Sequence, residues 1–149
     1  MHLPVEIKIL HPEASVPQRA TEMSAAVDLR IYYDEPGELT LAPGGQSLQR
    51  TGIAINIGDP GWCAMILPRS GLGVKGTVLG NLVGLIDADY QGELKVCLWN
   101  RGTDTVTLNS GDRVAQLLFV PVGIPEFTEV GEFAPSVRGE GGFGHSGIN

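Results

Sequence analysis

The sequence predicts an all-β fold, a sandwich or barrel of many short strands. Three observations predict it. Apolar residues recur with period two in short runs. Clusters of glycine, proline, asparagine and aspartate separate those runs. Glycine (21) and proline (10) are abundant among 149 residues, which favours turns over long helices. The length suits one domain with a real core.

Taken in order, Val5, Ile7 and Ile9 alternate with Glu6 and Lys8 as a first strand. Ala25-Ala26-Val27-Asp28-Leu29 sets one carboxylate in an apolar strand. Ile53, Ile55 and Ile57 alternate with Ala54 and Asn56, and Trp62-Cys63-Ala64-Met65-Ile66-Leu67 is a further strand-like run. A helix of a turn or two is expected near Gly71 to Gly76, where glycine limits its length. Leu94, Val96 and Leu98 form the next strand, and Val106 with Leu108 another. Val114 to Val120 is more continuously apolar, as in a strand covered on both faces. Turns are expected at Ala42-Pro43-Gly44-Gly45, Gly58-Asp59-Pro60-Gly61, Asn100-Arg101-Gly102 and Asn109-Ser110-Gly111-Asp112. No internal repeat or interdomain linker interrupts the pattern. From Arg138 onward the chain is a glycine-rich tail with too little apolar surface to fold alone.

The net charge of −7 argues against general nucleic-acid binding, because nothing offsets phosphate repulsion. A small polyphosphate remains within reach of local arginines, backbone N–H groups and a divalent cation. Cys63 and Cys97 sit in apolar strands and read as reduced thiols in a reducing cytoplasm. No signal peptide is visible and no apolar run approaches the ~20 residues of a membrane helix.

Two G-x-G-x-x-G segments, Gly71 to Gly76 and Gly139 to Gly144, lack the strand–helix context of a dinucleotide site. His2, His11 and His145 are not spaced as metal ligands. The segment Pro68-Arg69-Ser70-Gly71-Leu72-Gly73 offers a guanidinium, a hydroxyl and glycine amides, a set that suits phosphate oxygens. It reads equally as a strand-to-helix turn with Ser70 as N-cap and Arg69 in a surface ion pair. Asp28 reads first as the partner of a backbone group or an arginine, and second as a metal-shell residue. Arg113 reads as a structural ion-pair partner; Gln116 reads as a core amide or a ligand contact. The segment Gly84-Leu85-Ile86-Asp87-Ala88-Asp89-Tyr90-Gln91-Gly92 places two carboxylates and a tyrosine in a glycine-bounded turn. Spacing alone does not choose between Asp87 and Asp89. The tail reads alone as a solvated terminus, yet Arg138, Phe143, His145 and Ser146 offer a cation, a ring and donors to a ligand.

Together these segments resemble the trimeric deoxyuridine triphosphate pyrophosphatase (dUTPase) family, its bacterial members most closely. The family's five motifs stand in order at Ala25 to Leu29, Pro68 to Gly73, Gly84 to Glu93, Arg113 to Leu117 and Arg138 to Gly147. Gly is usual where Ala26 or Val27 falls, and Ser is frequent where His145 stands. The resemblance implies a distorted jelly-roll or β-barrel subunit of the β-clip type, residues 1–137, with a flexible tail, 138–149, that closes over an active site. It implies a homotrimer with three shared sites, cytoplasmic, binding dUTP and neither nucleic acid nor membrane. The implied reaction is hydrolysis of dUTP to dUMP and diphosphate, which limits uracil incorporation into DNA and supplies dUMP for thymidylate synthesis. Asp87 becomes the general base and Asp89 a turn residue. Tyr90 packs on the deoxyribose, and Asn81 with hairpin backbone reads uracil. Arg69, Ser70, Gly71 and Gln116 bind phosphate; Arg138, His145 and Ser146 hold the γ end; Phe143 stacks on uracil. Mg²⁺ bridges the phosphates, with Asp28 reaching it through water. The alternatives are a dCTP deaminase-like enzyme of the same fold and a catalytically silent β-trimer that binds nucleotide or protein.

Overall fold

The computed structural model describes residues 2–142. Its elements are β1 (Glu6–Ile9), β2 (Val27–Arg30), β3 (Glu38–Leu41), β4 (Gln46–Asn56), β5 (Trp62–Pro68), α1 (Ser70–Val74), β6 (Thr77–Leu79), β7 (Gly84–Ile86), β8 (Glu93–Asn100), β9 (Val106–Asn109) and β10 (Arg113–Pro121). All strand pairs are antiparallel. One sheet runs β1-β4-β8-β6, a second runs β2-β10-β5-β7, and β3 pairs with β9 as a ribbon. The all-β expectation holds, and the architecture is a distorted jelly-roll of two packed four-stranded sheets.

Alternation decides which side chains meet between the sheets. In β8, Leu94, Val96, Leu98 and Asn100 are buried while the residues between them are not. They meet Ile53 and Ile55 of β4, Ala64 and Ile66 of β5, and Ala115 and Leu117 of β10 in one core. Each such aliphatic side chain contributes roughly 1.5–3 kcal/mol on burial. Asn100, fully buried, is satisfied: its amide donates to the Leu41 and Asp104 carbonyls at 2.9 and 2.8 Å and accepts the Gly102 N–H at 3.0 Å. Strand β10 lies between β2 and β5; its Val114, Ala115 and Leu117 are buried, and Leu118 to Val120 are half-buried.

The short strands β3, β6 and β7 have no counterpart in the sequence reading, because runs this brief carry little periodicity. Strand β4 begins well before Ile53 and lies between β8 and β1. Gln46 to Arg50 and again Ala54 pair with β8, Ile53 to Asn56 pair also with β1, and the β4–β8 register shifts between Arg50 and Ala54, a stretch that contains Gly52 at φ 68°. The cysteines are reduced; Cys63 is buried in one sheet and Cys97 half-buried in the other. The last regular element ends at Pro121, and residues 121 to 140 are all exposed. No described helix is long and apolar enough to cross a membrane.

After α1 the chain turns sharply at Gly76, whose φ is 96°. A Cβ there would stand 2.5 Å from the Gly102 Cα and 2.6 Å from its nitrogen. Backbone faces backbone, so nothing flexible can yield. Gly76→Ala is expected to lower unfolding free energy by about 2–4 kcal/mol, combining left-handed strain with overpacking. Urea denaturation checks this, and a change under 1 kcal/mol counts against so close an approach.

Candidate active site

Three distant segments converge at one end of the second sheet. Registry places Gln116 beside Asp28 of β2 on one side and Leu67 of β5 on the other. Strand β5 then delivers Arg69 and Ser70 beside them. The Asp28 carboxylate accepts from Arg69 Nε at 3.0 Å and from Arg113 Nη1 at 3.1 Å. Arg69 also donates to the Arg113 carbonyl at 3.1 Å, and Gln116 Nε2 donates to the Pro68 carbonyl at 2.9 Å. Asp28, Arg69, Ser70, Gly71 and Gln116 line an open hollow of about 510 Å³. A guanidinium, a hydroxyl and backbone N–H groups facing one hollow are donors suited to phosphate.

Some sequence expectations change here. Arg69, in extended conformation, is the N-cap of α1, not Ser70. Ser70 is the first helical residue and its hydroxyl makes no capping bond; the helix runs Ser70–Val74, not Gly71 to Gly76. Asp28 is an arginine partner through both oxygens, as the first of its two readings expects. Arg113 is the ion-pair partner expected.

The hairpin between β6 and β8 is built from tight backbone bonds. Leu82, at φ 64°, is its one described non-glycine residue in left-handed conformation, and Val83 N–H donates to the Asn81 carbonyl at 2.7 Å, closing a γ-turn. Tyr90 N–H donates to the Asp87 carbonyl at 3.2 Å, and Gly58 N–H to the Ala88 carbonyl at 3.0 Å. These bonds present the Asp87 side chain to solvent on a fixed turn. The Tyr90 hydroxyl donates to the Glu93 carbonyl at 3.1 Å. The Glu93 carboxylate in turn accepts from Arg50 Nε at 3.0 Å and from Gly52 N–H at 2.9 Å, which fixes the root of the hairpin in β4. Arg50 is held still more firmly protonated by Glu93, then by Asp34.

Within one chain the two groups lie apart. The β5–β7 register sets Ile86 opposite Ala64, so Asp87 stands level with Cys63. Arg69 follows the rest of β5, about 20 Å away at the rise of a strand. Arg138 is exposed and its Nε donates to the Gly141 carbonyl at 2.7 Å. Phe143, His145 and Ser146 lie outside the described residues. The sequence reading missed the Tyr90–Glu93 bond; the glycine two residues past the tyrosine was its available signal.

The fold is a jelly-roll that carries an open hollow lined by Arg69, Ser70, Gly71 and Gln116, and a carboxylate–tyrosine hairpin. The dUTPase family profile matches residues 12–147. A deoxyuridine 5'-triphosphate nucleotidohydrolase of Shewanella denitrificans is 58% identical over 152 residues, covering 99% of each chain. One of Escherichia coli O9:H4 is 55% identical, covering 96% of this chain and 97% of its own. The dUTPase of Staphylococcus bacteriophage 80alpha, solved with dUPNHPP, superposes with a TM-score of 0.86 at 28% identity, covering 97% of this chain and 99% of that one. The chain belongs to the dUTPase family.

Proposed function

We propose that the chain hydrolyses dUTP to dUMP and diphosphate. The observation that carries this reading is an exposed carboxylate and an anchored tyrosine on one hairpin, in a chain that also holds a phosphate-suited hollow. Asp87 takes a proton from water as its oxygen attacks the α-phosphorus; the bond from that phosphorus to the bridging oxygen breaks, and diphosphate leaves. Arg69, Ser70, Gly71 and Gln116 hold phosphate oxygens. A Cβ at Gly71 would meet nothing of its own chain within 4 Å and its φ is not left-handed, so neither packing nor conformation accounts for glycine there. Close approach of a phosphate does. Tyr90 packs on the sugar where a ribose would carry its 2′-hydroxyl, and Asn81 reads the uracil edge. Arg138, His145 and Ser146 hold the γ end and Phe143 covers the base, so that closure excludes water.

The site is shared between copies, in a homotrimer. A gap of about 20 Å between Asp87 and Arg69 exceeds the reach of one triphosphate from sugar to phosphates. One copy's hairpin facing another copy's hollow resolves it. The segment after β10 supports the same assembly: Ile124, Phe127 and Phe133 are 72%, 91% and 91% exposed, a load of apolar surface that a partner chain would cover.

Among the described residues no cluster of three His, Cys, Asp or Glu side chains forms a metal cage. The donor set fits Mg²⁺ brought in on the triphosphate with its hydration shell, and Asp28 would reach it only through water. Bound there, the ion would draw charge from the phosphate oxygens.

Diphosphate release measured across dUTP, dTTP, dCTP and UTP, with and without Mg²⁺, tests the reading. dUTP is expected to lead by at least about a hundredfold in kcat/KM, and chelation of Mg²⁺ to reduce its turnover. Ammonia from dCTP with no diphosphate from dUTP would overturn it.

A further inference from the structure

Gly92 is a glycine whose backbone does not ask for one. Its φ lies outside the left-handed region, so any residue could adopt its conformation. What excludes a side chain is Tyr90. A Cβ on Gly92 would stand 2.5 Å from the Tyr90 hydroxyl oxygen, 2.7 Å from Cζ and 3.0 Å from Cε2. The outer end of the ring therefore lies across the Gly92 Cα, and its hydroxyl is bonded to the next carbonyl, that of Glu93, at 3.1 Å. Glu93 is itself held at its side chain by Arg50 and Gly52 and at its backbone in β8 opposite Ala54. Ring, glycine and carbonyl form one seat. The ring's outer end is against the chain, while Tyr90 keeps 44% of its surface exposed.

We propose that Gly92 and the Glu93 carbonyl are positioning elements that fix the Tyr90 ring, and that this seat sets discrimination between deoxyribose and ribose. The inference rests on the reading that Tyr90 packs on the sugar. A wall excludes a hydroxyl only if it does not yield. A tyrosine free to change rotamer would move aside for the extra oxygen, whereas one held before binding excludes it and loses no rotamer freedom when the sugar arrives. A methyl group at residue 92 can be accommodated by swinging the ring away, because the three atoms it meets most closely all belong to the Tyr90 side chain. The backbone and the strands on either side stay as they are.

The test uses the full-length chain and compares kcat and KM for dUTP and UTP in Gly92→Ala, Tyr90→Phe, Tyr90→Ala and the Gly92→Ala/Tyr90→Ala double variant. Gly92→Ala is expected to raise the UTP-to-dUTP ratio of kcat/KM by about tenfold, mainly through a lower KM for UTP, with thermal unfolding unchanged. Tyr90→Phe keeps the ring over Gly92 but removes its bond, and shifts the ratio in the same direction by less. In the double variant Gly92→Ala adds nothing to Tyr90→Ala, since its effect is transmitted by the ring. A normal ratio in Gly92→Ala while Tyr90→Ala shifts it, or full additivity in the double variant, overturns the role of Gly92. A normal ratio in Tyr90→Ala removes the sugar contact itself, and the proposal with it, while diphosphate release from dUTP by the unaltered chain still stands.

Discussion

Asp87→Asn lowers kcat for dUTP by about a thousandfold while dUTP binding stays within a few-fold of normal. The size follows from losing a general base, whose contribution is typically 10²–10⁴. Binding survives because the amide has nearly the shape of the carboxylate. The turn does not need the acid: it is closed by Tyr90 N–H on the Asp87 carbonyl and tied down by Gly58 on Ala88, both backbone bonds. Asp89→Asn is the matched control and keeps near-normal turnover. Single-turnover hydrolysis and calorimetric titration with a non-hydrolysable dUTP analogue read the two quantities apart. Near-normal turnover in Asp87→Asn removes this residue as the base, and loss through Asp89→Asn instead reverses the roles of the two acids.

Deleting residues 138–149 is expected to cut kcat/KM for dUTP by about a hundredfold or more. The folded body is expected to keep the melting temperature of the full-length chain and its mass in light scattering. Residues 138–140 are exposed, and the described bond of Arg138 is to Gly141, inside the deleted piece. The removed residues include the proposed γ-phosphate and base contacts, so the loss belongs to closure over substrate. Full activity after truncation would return the tail to a plain solvated terminus. Collapse of the melting temperature would assign it to folding instead.

Much of the architecture was legible in the chain. Residues such as Leu94, Val96 and Leu98, or Ile53 and Ile55, read as strands because a side-chain period of two matches a sheet with one covered face. The flanking glycine and proline clusters marked their ends. Strands of three or four residues escaped. Thr77 to Leu79 and Gly84 to Ile86 are too short to establish a period and are strands only because β8 and β5 offer them free edges. Helix α1 lies within a residue or two of its expected place; of the strand-to-helix reading, the Arg69 ion pair holds and Ser70 as N-cap does not. A serine at a strand-to-helix junction is a strong local signal; here Arg69 takes the capping position without a side-chain capping bond, and its side chain turns to Asp28, far away in sequence.

The candidate site divides along the same line. The types and order of its residues are local properties: carboxylate beside tyrosine in a glycine-bounded turn, arginine and serine before glycines, a glutamine in an apolar strand. Order along the chain sets these, together with the strand pattern and the family they resemble. The tertiary structure decided who meets whom. Asp28, Arg69 and Arg113 become one ion-paired group because β2, β10 and β5 are neighbours in a sheet. The Tyr90 ring finds its seat because Glu93 is pinned to β4. Asp87 and Arg69 stand at opposite ends of β5 because the β5–β7 register sets them there. Each outcome depends on pairing between strands distant along the chain, a register set by burial of whole sheet faces and not by any residue's neighbours in sequence.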